Sequence, residues 1–390
     1  MTANLHGLGL RHVAMISARK ARLTMGQFAG DAWTGGGLVC SVGWVDRGDE
    51  RPPLKGADEG GILEALRDAG VLAAGEDARL SPLAGGVSSD IFRIDTDLGR
   101  TLAVKRSIPR LRVEADWRAP VRRWAGEVRW LRLVRALDAR LAPEVLAVVP
   151  SAHIFVMAFL DPATHPVWKD TMAAGHVDPA FAGAVGRDLA RIHAYSAGRS
   201  DIALDFADSD CFHALRVSPF LLFTAERHPD LGQRLRRLAG YLATRRFALV
   251  HGDISPKNIL IGPEGPVFLD AECVAYGDPA FDLAFCLTHL LLKTVWLKPH
   301  GEALMTAFDA LRSSYAAGVT WEPASLLDRR AAALVGALLL ARVDGKSPAP
   351  YLTDTADQAF VRQAARGLLA AYDVDLAGLL STWRAALAAW

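Results

Sequence analysis

The spacing of apolar positions changes part-way along this chain. Between Glu59 and about residue 161 the apolar runs are short and broken by turn residues. Ile62, Leu63, Leu66 and Val71-Leu72 predict a short helix and its exit. Residues 80–83, 91–94 and 101–105 carry strand signals, with Gly85-Gly86 and Leu98-Gly99 at the intervening turns. Residues 125–137 fit a helix, and 152–160 a strand that enters a hinge at 157–161. After that point the period becomes helical: 178–196 with Pro179 in its first turn, 234–244, 281–293, 302–317, 326–342, 356–371 and 376–388. Two short strands, 247–250 and 266–269, interrupt the helices. The pattern predicts an α+β chain in two lobes: a small mixed β-sheet and helix N-lobe at 57–161, and a larger, mainly helical C-lobe at 162–390. Residues 1–56 show no sustained period and read as an extension. Their Gly35-Gly36-Gly37 lacks the flanks of a phosphate loop.

Composition narrows the class without naming it. Hydrophobic residues are 51% of the chain and charged residues 22%, enough for a sizeable core. The formal net charge of +1 gives no reason to expect a nucleic-acid or membrane partner. Arginines between 106 and 135 are interrupted by Glu114, Asp116 and Glu127, as on a solvated helical face. Cys40, Cys211, Cys273 and Cys286 have neither metal-binding nor redox spacing, which suits free thiols in the cytoplasm. Residues 1–20 lack the apolar core of a secretory signal. The apolar runs 283–292 and 331–340 are too short to span a bilayer.

The chemistry concentrates in His251-Gly252-Asp253-Ile254-Ser255-Pro256-Lys257-Asn258 and in Leu269-Asp270-Ala271-Glu272. Moving a phosphoryl group from ATP demands charge neutralisation, a held metal and an aligned acceptor oxygen. Asp253 can accept a hydrogen bond from an acceptor hydroxyl and take its proton late. Asn258 and Asp270 offer hard oxygen ligands that suit Mg2+. His251 reads as a loop support and Gly252 as a close backbone turn. Glu272 is divided between a second metal and the loop backbone; Asp278 reads as a helix cap, and Asp282 as facing the catalytic loop. Lys257 is equally a γ-phosphate contact or a surface lysine. Lys105, at a strand end, can reach the α- and β-phosphates if a carboxylate orients it. Glu127 is the better candidate for that role and Glu114 the runner-up. Gly85, Gly86, Ser88 and Ser89 are positioned to lie over the phosphates, and Met157, Phe159 and Leu160 to line the adenine.

These motifs together resemble the aminoglycoside phosphotransferase family, within the wider protein-kinase-like fold. The resemblance runs over residues 75–390 and rests on Gly85-Gly86, Lys105, Glu127, His251-Gly252-Asp253 with Asn258, Leu269-Asp270-Ala271-Glu272, and Gly277-Asp278-Pro279 with Asp282. It implies ATP- and Mg2+-dependent phosphorylation of a hydroxyl on a small molecule, with Asp253, Asn258 and Asp270 in the roles just argued. The acceptor stays open, because such families serve antibiotics as well as choline, homoserine and methylthioribose. Mixed charge at 323–345 does not announce a polycationic ligand, and the polar segment 342–348 is either an acceptor-pocket border or an exposed turn. An atypical protein kinase is the competing enzyme reading, weakened because no Phe-Gly follows Asp270. A pseudokinase-like nucleotide-binding protein is the non-enzyme reading, opposed by the retention of Lys105, Asp253, Asn258 and Asp270.

Overall fold

The computed structural model describes residues 59–83, 88–112, 117–371 and 374–390. The segment 1–56, Gly85 and Gly86 of the expected phosphate loop, and Glu114 lie outside the described residues. Helix α1 (Glu59–Asp68) precedes an antiparallel sheet of β1 (Ala78–Pro82), β2 (Ser89–Thr96), β3 (Thr101–Ser107), β4 (Val145–Val149) and β5 (Ile154–Ala158), in the order β1-β2-β3-β5-β4. Strand alternation gives the sheet two distinct faces. Phe92, Ile94, Leu102, Val104, Ile154 and Val156 pack under Ile62 and Leu66 of α1. On the opposite face Ile91, Lys105 and Phe155 lie side by side in register. Helix α2 (Arg123–Leu137) buries Glu127, Trp130 and Leu131.

Helices dominate the remainder: α3 (Trp168–Ala173), α4 (Pro179–Ser196), α5 (Ser200–Asp205), α6 (Asp210–Phe212), α7 (Phe223–Arg227), α8 (Pro229–Thr244), α9 (Ala280–Trp296), α10 (Gly301–Ala317), α11 (Ala324–Asp344), α12 (Thr355–Ala370) and α13 (Leu376–Ala389). Every residue of α9 from Ala280 to Val295 is buried, which makes it the central helix of this part. A π-helical segment, His213–Leu222, joins α6 to α7 and contains Pro219. Proline has no backbone N–H to give to an ordinary helical bond, and π turns accommodate such an irregularity. Two short antiparallel pairs frame the motif loops: β6 (Ala248–Val250) with β9 (Ala275–Gly277), and β7 (Ile259–Gly262) with β8 (Gly265–Phe268).

The α+β architecture matches the expectation, with differences in detail. Strand β4 was not foreseen; it is an irregular edge strand between Pro143 and Pro150, with a register shift between Val145 and Ala147. Strand β5 ends at Ala158, so Phe159 and Leu160 lie beyond it. Helix α8 starts at Pro229, five residues before the expected start at Arg234. Among the described residues no helix is long and apolar enough to cross a membrane.

Candidate active site

The loop after β6 is held by a carboxylate from the first turn of α9. Asp282 Oδ2 accepts the His251 N–H at 2.7 Å and its Oδ1 accepts the Gly252 N–H at 2.8 Å. His193 of α4 lies 3.2 Å from the same Oδ2, and the Tyr315 hydroxyl of α10 lies 2.7 Å from the other nitrogen of that ring. Three helices thereby converge on two backbone amides. His251 Nδ1 accepts the Asp253 N–H at 3.1 Å, and Nε2 lies 3.0 Å from the Leu269 carbonyl. That pattern calls for a neutral ring with its proton on Nε2. Burial, only partly opposed by Asp282 and Asp253, holds its pKa below the usual histidine value. Gly252 has φ +78°, and a Cβ there would sit 2.6 Å from the Cys273 carbonyl oxygen. Only glycine meets both conditions without strain.

Asp253 projects into a ring of donors. Its Oδ1 is 2.8 Å from Arg216 Nη2, while Oδ2 accepts from Lys257 Nζ at 2.9 Å and from Asn258 Nδ2 at 2.7 Å. Burial opposes its charge, but Arg216 and Lys257 outweigh burial and bring its pKa down to about 2. Asn258 Nδ2 also donates to the Asp253 carbonyl at 3.0 Å, which turns the amide oxygen the other way. The Asn258 carbonyl accepts the Leu269 N–H at 2.9 Å, tying this loop to the one that carries Asp270.

Asp270 adopts φ +69°, a left-handed conformation uncommon outside glycine. Its carboxylate meets two lysines: Oδ1 bonds Lys105 Nζ, and Oδ2 is 3.8 Å from Lys257 Nζ. Lys105 is the hub of a second buried cluster, at 2.7 Å and 2.9 Å from the two Glu127 oxygens and 2.9 Å from Glu272 Oε1. Burial disfavours the ammonium, yet Asp270, Glu127 and Glu272 together hold its pKa well above the usual lysine value. Glu127 shows the converse. Burial, with the charges of Asp270 and Glu272, pushes it up to about 8 against the pull of Lys105. The oxygens of Glu127, Asp270 and Glu272 lie within 4.8 Å of one another around the Lys105 ammonium. The Asn258 amide oxygen and the Asp270 carboxylate are hard oxygen donors, the type that Mg2+ takes.

Other expected site residues are placed as follows. Ser89 is buried at the start of β2 and gives its hydroxyl to Glu272; the Ser88 carbonyl accepts from Arg123. Glu272 pairs with Lys105 and, at 2.9 Å, with Arg123 Nε. Met157, Phe159 and Leu160 are half-buried, and the Arg93 guanidinium sits 4.8 Å from the Phe159 ring centre. Asp278 accepts the Ala280 N–H at 3.0 Å as a cap and is also gripped by Arg330 at 2.9 and 3.0 Å. A cavity of about 480 Å³ lined by Arg234, Tyr241, Arg245 and Arg330 touches Asp278, but none of Lys105, Asp253, Asn258 or Asp270.

Sequence reasoning missed Arg216 and Arg123. Arg216 sits in the π-helical segment, 37 residues before its partner Asp253, and Arg123 lies 149 residues before Glu272. Neither has a neighbouring motif. The one signal was compositional, because an arginine inside an apolar stretch such as Leu215-Arg216-Val217 needs a buried acid.

A sheet lysine meeting a loop aspartate, with the remaining machinery on a helical part, is the arrangement of two-lobed kinases. The amicoumacin kinase hAmiN, solved in complex with AMP-PNP, Ca2+ and Ami, superposes with a TM-score of 0.51 at 13% identity, covering 80% of this chain and 93% of that one. The chain belongs to the phosphotransferase enzyme family, whose model matches residues 79–316. A methylthioribose kinase of Bacillus cereus is 24% identical over 236 residues, 53% of this chain and 58% of that enzyme. The chain thus spans little more than half the length of that relative.

Proposed function

We propose that this protein is an ATP- and Mg2+-dependent phosphotransferase that moves the γ-phosphate to a hydroxyl of a small molecule. One observation carries the reading: Asp253 and Asn258 meet through their side chains, the Asn258 carbonyl accepts the N–H of Leu269 beside Asp270, and Lys105 bridges Asp270 to Glu127. On this reading residues 57–161 hold the nucleotide and residues 162–390 the catalytic loop and the acceptor. Lys105, oriented by Glu127, neutralises phosphate charge, while Ser88, Ser89 and the Gly85-Gly86 loop border the phosphates. Met157, Phe159 and Leu160 line the adenine. Mg2+, held by Asn258 and Asp270, supplies further charge neutralisation on the phosphates.

Asp253 orients the acceptor hydroxyl. A carboxylate with a pKa of about 2 is a weak base, so it takes the proton only after the new bond has begun to form. Lys257, exposed but drawn to Asp253 at 2.9 Å, is within reach of both loops. The buried thiols Cys211, Cys273 and Cys286 suit the cytoplasm. The experiment is an ATP-consumption screen over aminoglycosides, amino alcohols, sugars and nucleosides, with mapping of any product. Mg2+-dependent ADP release that requires a hydroxyl compound is the expected result. Phosphorylation of generic protein substrates alone, or Mg2+-dependent ATP binding with no transfer to any acceptor, would overturn the reading.

A further inference from the structure

Next to Asp253 the helical part buries more positive charge than the described residues neutralise. Arg216 lies 5.4 Å from the Phe285 ring centre and 5.7 Å from that of Phe220. Arg342 of α11 lies 5.7 Å from the centre of the same Phe220 ring. Its Nη1 donates to Ser347, but its buried Nε has no hydrogen-bond partner. Phe285, His289 and Lys293 recur every four residues along α9 and so share one face. His289 packs edge-on against Phe285 at 5.1 Å and lies 3.2 Å from the Tyr351 hydroxyl. Lys293 is 1% exposed, with its ammonium 4.6 Å from the Tyr351 ring centre and 5.1 Å from that of Trp296.

No carboxylate among the described residues is within ion-pair distance of Arg342 or Lys293. Among the described residues, the acids around the patch are already engaged. Asp253 is held by Arg216, Lys257 and Asn258; Asp344 is held by His228 and Arg362; Asp170 is exposed and pairs with Lys169. The positive groups feel one another. Burial, then Arg342, Lys293, Lys257 and Arg216, hold His289 well below its usual pKa. Burial, then Lys169 and Arg342, push Lys293 down to about 7. Arginine cannot shed its proton to escape such a site, and an unpaired buried charge is costly. A fold that keeps this arrangement beside its catalytic aspartate is set up for an incoming anion.

We propose that this patch receives a carboxylate or phosphate on the acceptor, which makes the acceptor a negatively charged hydroxyl compound, such as a hydroxy acid or sugar phosphate, rather than a cationic aminoglycoside. The inference rests on the phosphotransferase reading and names the substrate class of that same site. Arg342 and Lys293 supply the charge, and the Phe220, Phe285 and Tyr351 rings bound the carbon skeleton.

The test is an ADP-release assay with Mg2+-ATP and acceptors matched in size but not in charge. Gluconate, glucose and glucosamine form one series, glycerate and glycerol a second, and glucose 6-phosphate with glucose a third; the first and third separate carboxylate from phosphate. The expected result is transfer to an anionic member with kcat/KM at least tenfold above its neutral or cationic counterpart. Lys293→Met and Arg342→Gln should each lower that kcat/KM at least tenfold, mainly through KM. Metal-dependent ATP affinity on the same samples establishes that each variant is folded. Transfer to neutral or cationic acceptors in preference to anionic ones would overturn the inference and leave the phosphotransferase reading intact. So would anionic transfer that ignores both substitutions in folded protein. Transfer to no acceptor at all would overturn both.

Discussion

Asp282→Asn isolates the clamp on the loop that carries Asp253. The wild-type carboxylate accepts two buried backbone N–H groups at 2.7 and 2.8 Å, and His193 stands 3.2 Å away. An asparagine of the same shape keeps one oxygen and sets an NH2 against the other backbone donor. One charge-assisted bond is lost, the second becomes neutral, and one buried N–H is left without an acceptor. At about 1.5–3 kcal/mol for a bond to a charged group and about 1–3 kcal/mol for an orphaned donor, the cost is about 2.5–6 kcal/mol. That is a large share of the roughly 5–15 kcal/mol that holds an ordinary domain together. Urea denaturation reads the stability change as a lower midpoint at unchanged slope. Hydrogen exchange reads its location, with the amides of His251 and Gly252 losing protection while those of β3 keep theirs. A stability change below about 0.5 kcal/mol, the range of an ordinary surface substitution, with both amides still protected would refute the clamp.

Asp270→Asn removes the charge but keeps a side chain that tolerates a φ of +69°. It should weaken Mg2+-dependent ATP binding at least tenfold by calorimetry while leaving metal-free binding little changed; equal metal-dependent affinity would contradict the assignment. Lys293 has a folded pKa of about 7 against a reference value of 10.5, so the unfolded chain binds the extra proton between those values. Its contribution to stability is fully present above pH 10.5 and is lost as pH falls through about 7. Lys293→Met should therefore flatten the rise in stability between those pH values and stabilise the fold below about pH 7 by up to about 3–5 kcal/mol. Parallel urea-midpoint curves across that pH range in wild type and variant would contradict it.

The helical part was legible because long apolar patterns resist misreading. Helices expected from 281, 302, 326, 356 and 376 begin at Ala280, Gly301, Ala324, Thr355 and Leu376. Strands β7 and β9 escaped because stretches of three or four residues are too short to display a period. The π-helical segment escaped because Pro219 argues locally against any helix, and only tertiary packing of Leu215, Phe220 and Leu221 keeps one there. The candidate site divides in the same way. Asp253 and Asn258 are five residues apart on one loop, so their spacing alone suggested their meeting at 2.7 Å. Lys105 with Glu127 followed from a strand-end lysine and a helix that starts nearby, and the two stand 2.7 Å apart. Arg216 on Asp253 and Arg123 on Glu272 are long-range ion pairs, and no local pattern encodes which buried arginine meets which acid. The charge of the patch beyond Asp253 was hidden for the same reason, since Arg216, Lys293 and Arg342 come together only in three dimensions.

On the proposed reading Asp253 aligns an acceptor hydroxyl on the γ-phosphate of ATP. The most direct measurement is transfer of label from γ-labelled ATP to an acceptor found by screening, in wild type and Asp253→Ala, with Mg2+-ATP affinity measured on both. The expected result is a fall in transfer of about 10²-fold or more, the usual scale for a lost general base, with nucleotide affinity within a few-fold of wild type. Undiminished transfer by the purified Asp253→Ala protein would contradict it.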